Sequence, residues 1–115
     1  MRVGYIAGPF RASNSWDREQ NIRRAEAVAL EIWRLGAACI CPHTNTRFFD
    51  GAAPDAVWLE GDLAMLDRCD FVYCLPDWHR SSGATAEVER ANSRQMPLFF
   101  DLPTLDAWLH PWTPP

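Results

Sequence analysis

The chain contains no lysine: all eleven basic side chains among its 115 residues are arginines. This absence excludes a Schiff-base lysine and the lysine of a Walker-type phosphate loop. The formal net charge is −4, which disfavours duplex nucleic acid as a partner, because binding a duplex requires a basic face. A single phosphate group is compatible with the composition, since one arginine and a few backbone N–H groups can hold it.

Long apolar runs are also missing. No run approaches the roughly 20 residues that a membrane span requires, so we expect no membrane partner. The first nine residues look like a strand rather than a signal peptide. We therefore expect a cytoplasmic protein.

The four cysteines do not follow the spacing of a metal-binding motif. Cys39, Cys41 and Cys74 lie in apolar runs, which favours reduced cysteines in the core over disulfides. The segment Cys39-Ile40-Cys41-Pro42-His43 lacks the spacing of a zinc knuckle and is not followed by a second ligand pair. We expect neither a metal nor a cofactor.

The hydrophobic fraction of 48% excludes a disordered chain. At this length we expect one domain, spanning residues 1–110, followed by an irregular tail at residues 111–115. The domain is long enough to bury a core without disulfides.

Apolar strand patterns alternate with helical patterns along the chain. Strands are expected at residues 2–7, 37–41, 71–75 and 97–100. Helices are expected from an N-cap among residues 13–15 to residue 35, and at about residues 54–68, 83–94 and 103–109. This alternation is typical of an α/β three-layer sandwich of the Rossmann or flavodoxin type, with a mostly parallel sheet of four or five strands and helices on both faces. Ligands of such sheets bind at the edge where the strands end.

The second helix carries a carboxylate on its apolar stripe. Asp62 lies four residues after Trp58 and four before Leu66, on the face expected to point to the core. A carboxylate placed there is costly unless it has partners. Asp62 either caps a neighbouring loop or is aimed at the functional edge of the sheet.

The third helix carries a second misplaced carboxylate. Glu87 borders the inward face marked by Ala84 and Ala91, whereas Glu89 points to solvent. Its position near the start of the helix should favour the ionised form, which a nucleophile requires. The alternative is a border residue paired with an arginine.

The loops after the first and third strands could hold a phosphate. Gly8 and Arg11 follow the first strand, and the small-residue turn Ser81-Ser82-Gly83 opens the third helix. Free N–H groups at a helix start and an arginine fork both suit an anion. The same turn is also an ordinary N-cap. No G-x-G-x-x-G motif is present, which disfavours a dinucleotide site.

Three aromatic side chains could complete such a site. Phe10 and Trp78 lie in loops at the functional edge, where they could stack on a nucleobase or simply pack. Tyr5, near the end of the first strand, could bring its hydroxyl to the same edge.

Taken together, three segments resemble the nucleoside 2-deoxyribosyltransferase-like superfamily. They read Y-I-A-G-P at residues 5–9, G-D-L-x-x-L-x-x-C-D-F-V at residues 61–72, and S-S-G-A-T-A-E-x-x-x-A at residues 81–91. The resemblance spans roughly residues 3–100. It looks closest to small bacterial and phage members and is similar to the deoxynucleoside monophosphate N-glycosidases.

The resemblance implies a role for each matching residue. Glu87 would attack the anomeric carbon of the sugar, Asp62 would assist at the sugar, and Tyr5 would orient the nucleophile. The residues implied to hold a 5′-phosphate are Gly8, Arg11, Ser81 and Gly83.

The expected function is cleavage of the N-glycosidic bond of a nucleoside or nucleoside 5′-monophosphate, through a covalent intermediate on Glu87. Water as the acceptor would make the protein a hydrolase, and a second base would make it a transferase. The alternative is a nucleotide-binding or sensing module with the same fold and no turnover. An aromatic content of 12% in a short chain also leads us to expect a homo-oligomer, most simply a dimer.

Overall fold

The computed structural model describes residues 1–115 and is built on one sheet of four parallel strands. The strands are β1 (Val3–Ala7), β2 (Ala38–Ile40), β3 (Phe71–Cys74) and β4 (Leu98–Phe99). Their spatial order is β2-β1-β3-β4, so β1 is a central strand that pairs with both β2 and β3. The expected parallel α/β sheet is confirmed, with four strands rather than five.

Five helices surround the sheet. They are α1 (Ser15–Leu35), α2 (Pro42–Asn45), α3 (Asp55–Leu66), α4 (Ser82–Ser93) and α5 (Leu102–Leu109), with a 3₁₀ turn at Trp78–Arg80. No helix is long and apolar enough to cross a membrane. Residues 111–115 contain neither helix nor strand.

Local signals explain both ends of α1. The Asn14 side chain accepts a hydrogen bond from the Asp17 N–H at 2.8 Å, as an N-cap does. Gly36 adopts a left-handed φ of 101° and closes the other end. The helical spacing of the apolar residues Ile22, Ala25, Ala29, Ile32 and Trp33 predicts one buried stripe, but Trp33 is 54% exposed. It lies about 100° around the helix from the buried Ile32, at the edge of that face.

Two elements differ from the sequence-based expectation. The segment between the strand expected at residues 37–41 and the helix expected at about residues 54–68 begins with the short helix α2, because Pro42 pre-sets the backbone of its first turn. Helix α3 ends at Leu66 rather than near Arg68. After Leu66 the hydrogen bonds change to the tighter 3₁₀ pattern, in which the Arg68 and Cys69 N–H groups donate to carbonyls three residues back.

Alternating side chains of the central strands build a core on each face of the sheet. On β1, Ile6 packs into the cluster that includes side chains of α1 and α5, whereas Tyr5 and Ala7 pack with α3 and α4. The register aligns Tyr5 with Val72 of β3, which lies on the same face. Tyr5 therefore projects from the sheet towards the two helices that carry Asp62 and Glu87.

Candidate active site

A cavity of about 510 Å³ opens at the edge where the strands end. Its walls come from the loop after β1, from α2 and the loop that follows it, from α3, and from the start of α4. Most of the residues expected at the site line it, namely Gly8, Phe10, Arg11, Asp62, Ser81, Gly83 and Glu87. The loops after β1, β2 and β3 thus meet where a parallel sheet places its ligand site.

Tyr5 lies behind the cavity wall and reaches the site through its hydroxyl. The side chain is fully buried, and its O–H donates a hydrogen bond to Oε2 of Glu87. Burial, followed by the nearby Glu87 and Asp62 carboxylates, raises the pKa of Tyr5. The hydroxyl therefore stays protonated and acts as a fixed donor to Glu87.

Glu87 and Asp62 form a pair of carboxyl groups in one cavity. Burial raises the pKa of Glu87 to about 8, with a further upward contribution from the Asp62 charge, while the Tyr5 hydrogen bond opposes the rise. Burial also raises the pKa of Asp62 to about 6. The pair consequently holds about one proton near neutral pH.

The expectation that the helix start ionises Glu87 was wrong. Helix α4 begins at Ser82, so Glu87 is its sixth residue and lies beyond the first turn, where the helix dipole acts. Burial decides the charge state here, and it favours the protonated form. Glu89, two residues further on, is exposed.

The contacts of the two carboxyl groups bear on the alternative roles considered from the sequence, an arginine pair for Glu87 and a loop cap for Asp62. Glu87 is hydrogen-bonded to a tyrosine rather than to an arginine. Asp62 is partly buried in the cavity wall, and burial is the cause of its raised pKa.

Arg11 is already paired in this structure. Its Nη2 atom lies 2.6 Å from Oδ2 of Asp55, at the start of α3. On the opposite wall, the Ser81 hydroxyl oxygen accepts the Ala84 N–H at 3.1 Å and caps α4. Ser82 and Gly83, in the first turn of α4, also line the cavity, and N–H groups of a first turn have no partner within their helix.

Gly8 is required by packing rather than by a ligand alone. A Cβ atom at this position would lie 2.4 Å from Cδ1 of Leu75 and 2.8 Å from its Cγ. At Gly83, by contrast, the nearest atoms would be 3.8 Å away. A side chain at residue 8 therefore requires Leu75 to move.

The structure does not bring Trp78 to the cavity. Trp78 packs against the apolar cluster between the sheet and α4, with the His79 ring edge-on to it. The tryptophan that lines the cavity is Trp58, on the same face of α3 as Asp62. The sequence places Trp58 one helical turn before Asp62, but the same spacing predicted that Trp58 packs in the core.

His43 also lines the cavity and was not expected there. Its Nε2 atom lies 3.0 Å from the Gly8 carbonyl oxygen and 3.1 Å from that of Pro9, so the N–H is shared between these two acceptors. Burial lowers the pKa of His43 and keeps it neutral. The position of His43 just after the end of β2 could have indicated this from the sequence, because ligand sites of parallel sheets lie where the strands end.

No group of three or more His, Cys, Asp or Glu side chains is positioned to hold a metal ion.

The fold matches a solved structure of an enzyme. The 2-deoxyribosyltransferase from the psychrotolerant bacterium Bacillus psychrosaccharolyticus aligns with a TM-score of 0.61, covering 84% of this chain and 69% of that one, at 18% identity. This protein thus has a nucleoside 2-deoxyribosyltransferase-like fold. No curated protein matches at the sequence level.

A family model matches residues 1–100, which include all four strands and every residue of the cavity wall named above. That family is described as a domain of unknown function, DUF4406. The chain belongs to the DUF4406 family.

Proposed function

We propose that this protein cleaves the N-glycosidic bond of a nucleoside or nucleoside 5′-monophosphate, with Glu87 as the nucleophile. The observation that carries the proposal is the buried tyrosine hydroxyl that donates to Glu87, with Asp62 in the same cavity. A fold shared with a 2-deoxyribosyltransferase supports the same chemistry.

In the first step, an oxygen of Glu87 attacks C1′ and the bond from C1′ to the base nitrogen breaks. The electron pair of that bond leaves with the base, which takes a proton from Asp62. The nucleophile must be ionised during the attack, so the one proton that the pair holds near neutral pH has to move from Glu87, the group with the higher pKa, to Asp62. The Tyr5 hydrogen bond favours this arrangement, because it stabilises the charged form of Glu87.

In the second step, water or another base attacks C1′ of the glycosyl ester. The bond from C1′ to the Glu87 oxygen breaks, and its electron pair returns to the carboxylate. The proton lost by the attacking group goes to Asp62, which restores the pair. Two displacements at one carbon retain its configuration, as in retaining glycosidases.

Base release tests the proposal directly. The protein is incubated with a panel of ribonucleosides, 2′-deoxynucleosides and their 5′-monophosphates, and free bases are separated by chromatography. Glu87→Gln should abolish release, because an amide of the same shape cannot attack as an anion. Asp62→Asn should lower the rate by about 100-fold or more, as expected for loss of a general acid.

Glu89→Gln is the matched control, since Glu89 is exposed on the same helix. It should keep the rate within a few-fold of wild type. Addition of a second base separates the two acceptors, because a new nucleoside forms only if the protein is a transferase. Wild-type turnover in Glu87→Gln would refute the nucleophile. Binding of a nucleotide by the wild type without any base release would instead favour a sensing module.

A further inference from the structure

An ion pair crosses the mouth of the cavity. Arg11, from the loop after β1, meets Asp55, the first residue of α3, at 2.6 Å between Nη2 and Oδ2. Both side chains line the cavity, and both are more than half exposed to solvent. The guanidinium that an incoming anion would use is therefore occupied by an anion of the protein itself.

Among the other charged groups of the cavity wall, only one cation has no ion-pair partner. Asp50 also lines the wall and is matched by Arg18 at 3.1 Å. Arg80 lines the wall without an ion pair. While Asp55 holds Arg11, the cavity wall thus has one unpaired cation, and the charge of the Asp62 and Glu87 pair opposes it, so the net attraction for a dianion is small.

We propose that Asp55 is a specificity-determining residue that sets how strongly the site favours a 5′-phosphate. This inference rests on the proposed function and concerns the same site. A phosphate group that enters must displace the Asp55 carboxylate from Arg11, whereas an unphosphorylated nucleoside leaves the pair intact. Asp55 thereby narrows the difference in affinity between a nucleoside 5′-monophosphate and its nucleoside.

The displacement is feasible because the pair is exposed. Ion pairs in contact with solvent contribute little to stability, so a phosphate with two charges can compete for the guanidinium. Removing the Asp55 charge also removes a repulsion on the phosphate. Together these effects should change the preference for phosphate by about 3- to 20-fold.

The test is a double-mutant cycle on Asp55 and Arg11, in a Glu87→Gln background that prevents turnover. Calorimetry gives the ratio of the dissociation constant of each 2′-deoxynucleoside to that of its 5′-monophosphate. Asp55→Asn should raise this ratio by about 3- to 20-fold. Arg11→Gln should lower it towards one, and Asp55→Asn should add no gain in the Arg11→Gln background beyond a general loss of repulsion of about 2-fold.

Asp77→Asn is the matched control. Asp77 is paired with Arg24 at 4.0 Å and does not line the cavity, so its loss changes net charge by the same amount without freeing Arg11. An equal gain in Asp77→Asn and Asp55→Asn would overturn the proposal. The proposal would also fail if Asp55→Asn raised the ratio of dissociation constants by the full amount in the Arg11→Gln background.

Inorganic phosphate keeps the test independent of turnover. If no nucleoside or nucleotide binds, the proposed function fails, but titration with inorganic phosphate at low ionic strength still compares the variants. Asp55→Asn should then bind phosphate more tightly than wild type and Asp77→Asn, and the gain should disappear with Arg11→Gln. No difference among the variants would reject the role of Asp55.

Discussion

Glu87 and Glu89 have the same side chain and lie two residues apart, yet one is largely buried and the other is exposed. A step of two residues turns a helix by about 200°, which places Glu87 against the sheet and Glu89 in solvent. This difference was predictable from the sequence, because it follows from helix periodicity alone. The charge state of Glu87 was not, since it depends on how deeply the folded protein buries the carboxyl.

The raised pKa of Glu87 makes stability depend on pH. Its carboxyl has an ordinary value of 4.5 and a folded-state value of about 8. Between these values the folded state binds more protons than the unfolded state, so wild type loses stability as pH rises. Glu87→Gln lacks this loss, so its free energy of unfolding relative to that of wild type should increase by about 2–4 kcal/mol from pH 5 to pH 9.

Thermal melts at both pH values measure the effect. Glu89→Gln, the same substitution at an exposed position of the same helix, serves as the reference. A constant difference between Glu87→Gln and wild type across the range would show that Glu87 titrates normally.

At the scale of elements, the site depends on how closely the end of β1 approaches the chain after β3. The Gly8 backbone lies against the Leu75 side chain, and the His43 N–H holds the Gly8 and Pro9 carbonyls from the other side. The sequence predicted both strands but not this contact. Gly8 was expected to serve a phosphate, and the structure adds a steric reason for it.

Gly8→Ala should therefore destabilise the protein. The added Cβ would overlap Leu75, and forcing a side chain into a well-packed region costs about 1–3 kcal/mol. Gly61→Ala is the opposite case, because a Cβ atom added there, in the middle of α3, would have no neighbouring atom within 4 Å. It should gain about 0.5–1 kcal/mol from helix propensity.

Urea denaturation with both variants distinguishes the two effects. The midpoint should fall for Gly8→Ala and rise for Gly61→Ala, with similar slopes. Equal midpoints for Gly8→Ala and wild type would mean that Leu75 can move aside without cost.

At the scale of the whole molecule, large aromatic side chains remain uncovered. Trp16 is 73% exposed and Phe48 is 85% exposed. Their segments are joined by ion pairs of Arg18 with Asp50 and of Arg47 with Glu19, so the two exposed aromatic residues belong to segments that lie next to each other. Exposed apolar surface of this kind is typical of contact sites between proteins.

We predict that the protein forms a homodimer in solution. Sedimentation at tens of micromolar should give twice the mass of the chain, and Phe48→Ser should shift the equilibrium towards monomer if this surface forms the contact. A monomer at that concentration would refute the prediction. If Phe48→Ser leaves the dimer unchanged, the interface does not include Phe48.

The sequence by itself determined the order of the four strands and the four longer helices, the parallel α/β class and the inward position of Asp62 and Glu87. Each of these depends on local periodicity, capping or connection rules, which can be recognised in a single sequence. Only the tertiary structure decided that Tyr5 donates to Glu87, 82 residues away, that Arg11 is held by Asp55, and that Trp58 rather than Trp78 lines the cavity. Such contacts join distant segments, so they depend on strand order and on burial, neither of which is encoded in the spacing of nearby residues.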